Sequence, residues 1–65
     1  MEFKVIVYYY ENGKVRRKEY KVEGTSYDVD MFVDTVENLY FAIATRKGEN
    51  GEDVLAGEYL LKDLI

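Results

Sequence analysis

The chain has 65 residues and so holds one domain; at that size folding buries only about 60% of the surface that the unfolded chain exposes. It has no Cys and no His. That excludes disulfides, a thiol nucleophile, an imidazole base and the usual zinc ligands. The net charge of −4 divides unevenly, +2 over residues 1–24 and −6 over residues 25–65. An acidic chain repels nucleic acid except at a local basic patch.

Without such staples, stability must come from an economical core or from self-association. The composition, 48% hydrophobic with 15% aromatic residues and no Pro, suits both. No apolar run reaches the roughly 18 residues of a membrane helix. The opening "MEFKVIVYYY" lacks the basic, apolar and small-residue succession of a cleaved leader. A cytoplasmic location is therefore expected, with no membrane contact and no cofactor.

The first two elements read as a β-hairpin. Residues 2–10 and 14–22 are rich in Val, Ile, Phe and Tyr, and Asn12-Gly13 between them is a strong two-residue turn signal. If Glu11 faces Lys14, partners across the hairpin sum to 25 and share a face. One face then carries Phe3, Val5, Val7, Tyr9, Tyr20 and Val22, with Arg16 and Lys18 near the turn. The other carries Lys4, Ile6, Tyr8, Tyr10, Val15, Arg17, Glu19 and Lys21. The first set is the better core face.

Residues 25–48, "TSYDVDMFVDTVENLYFAIATRKG", admit two readings. The preferred one is a helix, spanning about residues 27–47. Thr25 or Ser26 serves as N-cap, and Asp28 completes a short-acid variant of the capping box. Arg46 and Lys47 suit the C-terminal end, and Gly48 sits where a terminating glycine belongs. Val29, Phe32, Val33, Val36, Tyr40 and Ile43 recur at spacings of three and four. The competing reading is a pair of strands, 30–37 and 39–46, turning at Glu37-Asn38. With "GENGED" as a further turn, it gives an all-β SH3-like barrel of five strands with a short C-terminal helix.

The last stretch, "EDVLAGEYLLKDLI", reads either as strands 52–56 and 59–65 turning at Gly57-Glu58 or as a strand followed by a helical turn over 58–65. The preferred architecture is α+β in the order ββαββ, with the helix over the first hairpin face. That order, with its "NG" turn, resembles the β-grasp fold of ubiquitin-like and protein L/protein G-like domains. The resemblance implies a fold and no function.

Catalysis is not expected. Ser26, the one serine, has no His to activate it and reads as a helix cap. Asp28, Asp30 and Asp34 lack the remaining ligands of a calcium loop and read as a solvated helix face. The unusual feature is the tyrosine run beside five basic residues within positions 14–21. Its structural explanation is β propensity for the tyrosines and edge protection by the charges. Its functional explanation is a contact surface made of Ile6, Tyr8, Tyr10, Val15, Arg16, Arg17 and Lys18, because Tyr and Arg concentrate at interface hot spots.

The expected function is therefore a small protein-interaction module that binds a protein partner or itself as a homodimer. One specific form is a phage- or virus-encoded acidic inhibitor presenting Asp28, Asp30, Asp34 and Glu37. The alternative is a hairpin that contacts nucleic acid through its basic strand, which the acidic remainder disfavours.

Overall fold

A computed structural model describes residues 1–60. The elements are β1 (Glu2–Glu11), β2 (Lys14–Glu23), α1 (Ser26–Asp34), β3 (Leu39–Lys47) and β4 (Asp53–Leu60). Among these residues the fold is α+β in the order ββαββ: one four-stranded antiparallel sheet, ordered β2-β1-β3-β4, with a single helix. The likeness to the β-grasp is thus one of element order. Here β2 and β3 both run antiparallel to β1, hence parallel to each other, and α1 bridges them across it.

Asn12 and Gly13 both take left-handed backbone angles, φ 52° and 79°, as a primed hairpin turn requires. The register follows directly, with Glu11 opposite Lys14 and Phe3 opposite Val22. Odd-numbered β1 side chains therefore turn toward the helix. Phe3, Val5, Val7, Leu39, Ala42 and Ala44 from the sheet are buried with Val29 and Val33 from α1. Tyr9, Tyr20, Val22, Phe32, Val36 and Tyr59 pack around this cluster.

The helix stops at Asp34, and residues 39–47 form a strand instead of the second half of a longer helix. Thr35 closes the helix, its N–H and hydroxyl both donating to the Phe32 carbonyl, at 3.0 and 2.6 Å. Asn38 then reverses the chain at φ 58°. "LYFAIA" is an unbroken apolar run, so it satisfies a period of two as well as 3.6. Pairing with β1 on one side and β4 on the other selects the strand. Strand 39–46 and the "GENGED" turn of the all-β reading are present. The barrel is not: residues 26–34 are helical and the sheet is open.

The C-terminal hairpin also forms one element earlier than expected. The turn lies at residues 48–52, where the Gly48 N–H donates to the Glu52 carbonyl at 2.7 Å and Gly51 takes φ 83°. Gly57 is not a turn but sits inside β4, beside an irregularity that leaves Ala56 unopposed. The proposed strand to residue 65 and the helical turn over 58–65 extend beyond the described residues; within them, positions 58–60 are strand.

Nine helical residues span only about 13 Å, against about 33 Å for a ten-residue strand. One short helix therefore covers the middle of one sheet face. The far end of the hairpin projects past it, and the other face has nothing packed on it among the described residues.

Candidate interaction surface

The uncovered face follows from alternation along the strands. The rows read across β2-β1-β3-β4 are Arg17–Tyr8–Phe41–Leu60, then Glu19–Ile6–Ile43–Glu58, then Lys21–Lys4–Thr45–Leu55. Tyr10 and Val15 continue it toward the turn. A β-bulge between Tyr8 and Tyr9 leaves Tyr40 as an extra residue on β3. It swings Tyr40 onto Tyr10, ring centroids 5.2 Å apart and edge to face. Tyr8 and Phe41 lie 5.9 Å apart on the two central strands. Such pairs add about 0.5–1.5 kcal/mol beyond their buried area.

The patch is open to solvent: Tyr10 is 43% exposed, Tyr40 47%, Val15 48% and Leu55 56%. Of the residues proposed for contact, Ile6, Tyr8, Tyr10, Val15 and Arg17 share this face. Arg16 and Lys18 do not. They oppose Tyr9 and Val7 on the helix side, and Lys18 lines an open groove there with Tyr9, Tyr20, Phe32, Val36 and Glu37. Phe41, Ile43 and Tyr40 complete the patch. The helical reading of their segment conceals them, and no local signal marks them, because the apolar run "LYFAIA" fits either period and only pairing with β1 and β4 decides.

Below the aromatics runs a chain of ion pairs. Arg17 reaches Glu19 at 3.5 Å, Lys4 stands 3.9 Å from both Glu19 and Asp53, and Lys47 meets Asp53 at 2.8 Å. The Lys47 ammonium holds the Asp53 carboxyl below its ordinary range. Each pair is solvated and adds little stability. Their combined effect is on the field: Lys4, Arg17, Lys21 and Lys47 are nearly balanced by Glu2, Glu19, Glu23, Asp53 and Glu58.

The acidic residues of the helix side are partly engaged in the fold. The Thr25 N–H donates to the Asp28 carboxylate at 2.7 Å and its hydroxyl adds a bond at 3.1 Å, which together hold the Asp28 carboxyl below its usual range. Gly24 makes room for this cap. It takes φ 136°, and a Cβ there would collide with the Asp28 carboxylate. Asp30 accepts a hydrogen bond from the Tyr59 hydroxyl, while all four acids, Asp28, Asp30, Asp34 and Glu37, remain exposed to water.

Among the described residues no three Asp or Glu side chains stand close enough to hold a metal ion, and no helix is long and apolar enough to cross a membrane. The chain matches no known family model, no curated protein and no solved structure.

Proposed function

We propose that this protein is a non-enzymatic interaction module whose working surface is the uncovered sheet face. The observation that carries the reading is placement. The aromatics sit on the two central strands, β1 and β3, where a partner can cover them, and the helix occupies the opposite face. Tyr8, Tyr10, Phe41 and Tyr40 supply large contact area with few rotatable bonds, and Arg17 borders them. Single-stranded nucleic acid also stacks on aromatics of an open sheet. Here the surrounding charge is close to neutral, so the phosphate term that dominates such binding is missing.

The test is a Tyr8→Thr/Tyr10→Thr double substitution, which keeps β propensity and removes the rings. Binding of a protein partner, whether a second copy or another protein of its own cell, falls about tenfold or more, as loss of hot-spot aromatics does. Unchanged binding contradicts the proposal.

A further inference from the structure

The charge pattern of the uncovered face specifies which protein fits it. On β2, opposite charges alternate along the exposed side: Arg17, Glu19, Lys21 and Glu23. On β1 and β3 the apolar rows Tyr8–Phe41 and Ile6–Ile43 lie one step apart at the centre of the face. A two-fold axis running across the strands between those rows exchanges them. It sets Tyr8 over Ile6 of a second copy and Phe41 over its Ile43. The same rotation places β2 over β2 and brings Arg17 onto Glu19 of the other chain, twice by symmetry. A two-fold along the strands instead stacks Glu19 against Glu58, like charge on like.

We infer that the uncovered face binds a second copy of this chain, packed sheet against sheet about the cross-strand two-fold. The inference rests on the face being a contact surface, as proposed above, and names its occupant.

Size agrees. Four strands about 4.8 Å apart carrying five side-chain rows make a face of about 500 Å². Two such faces remove about 1,000 Å² from water, the lower limit of a specific interface. The sheets then lie about 10 Å apart, within the joint reach of Arg17 and Glu19. Need agrees as well. Among the described residues, six of the eight in the buried core are Val or Ala, and a core of such small side chains gains from burial against a neighbour.

Sedimentation equilibrium over a wide concentration range tests this on the full chain. The expected result is a species of twice 7.6 kDa. Arg17→Glu or Glu19→Arg alone weakens dimerisation about tenfold or more, and the two together restore it, because the reversed pair again meets its opposite. Circular dichroism at low concentration checks that each variant folds. A dimer indifferent to all these changes overturns the inference by placing the contact elsewhere. A monomer at every concentration overturns it too. If that monomer still captures another protein through Tyr8 and Tyr10, the contact surface stands and only its occupant changes. If it instead retains an oligothymidylate, or binds nothing, both readings fall.

Discussion

Tyr59 joins the helix to the edge of the sheet through one hydroxyl. Its side chain packs against the core and donates to Asp30 on α1. Burial first, then that hydrogen bond and the charges of Asp30 and Asp34, push its pKa up to about 12 from an ordinary 10.0. The folded state thus favours the neutral phenol. The associated stability is full below pH 10 and is lost as the pH rises from 10 toward 12. A phenolate absorbance titration therefore shows a late step from Tyr59, and the Tyr59→Phe variant lacks it. A variant curve that keeps the late step contradicts the assignment. Nothing in the sequence marked Tyr59 for this role, because the pairing spans 29 positions and depends on where β4 lies.

At the scale of elements, the hairpin was legible and the middle of the chain was legible only in half. Asn12-Gly13 fixes its own turn type, and turn type fixes register, so every facing pair of β1 and β2 followed from two residues. The segment from Thr25 to Lys47 carries two programmes joined at Asn38. Its first part has a cap, and its Val29, Phe32 and Val33 meet the sheet. Its second part continues the same spacing by coincidence, since an unbroken apolar run fits either period. Only sheet pairing decides between them, and pairing is not local.

The helix is held chiefly by two fully buried valines, Val29 and Val33. Nine residues are too few to be stable alone. Val33→Ala accordingly costs about 2 kcal/mol, or about 10 °C in unfolding midpoint for a domain of this size. A shift of only a degree or two means that α1 is not packed as described.

Across the whole molecule, the two sheet faces are unequal. The radius of gyration is 12.0 Å, against about 11 Å for a compact chain of this length. The excess reflects long strands backed by one short helix. The basic edge strand β2 resists edge-to-edge addition of further strands. On the proposed function, the broad face contributes to association and not to the core. Thermal unfolding at concentrations low enough for the chain to be monomeric checks this, comparing Tyr8→Thr/Phe41→Thr with Val5→Ala, because in a dimer the loss of interface contacts would also lower the midpoint. The double substitution on the open face, despite removing two rings, is expected to lower the midpoint less than the loss of two methyl groups at Val5. An equal or larger fall for the double substitution would show that those rings belong to the core and would remove the contact surface.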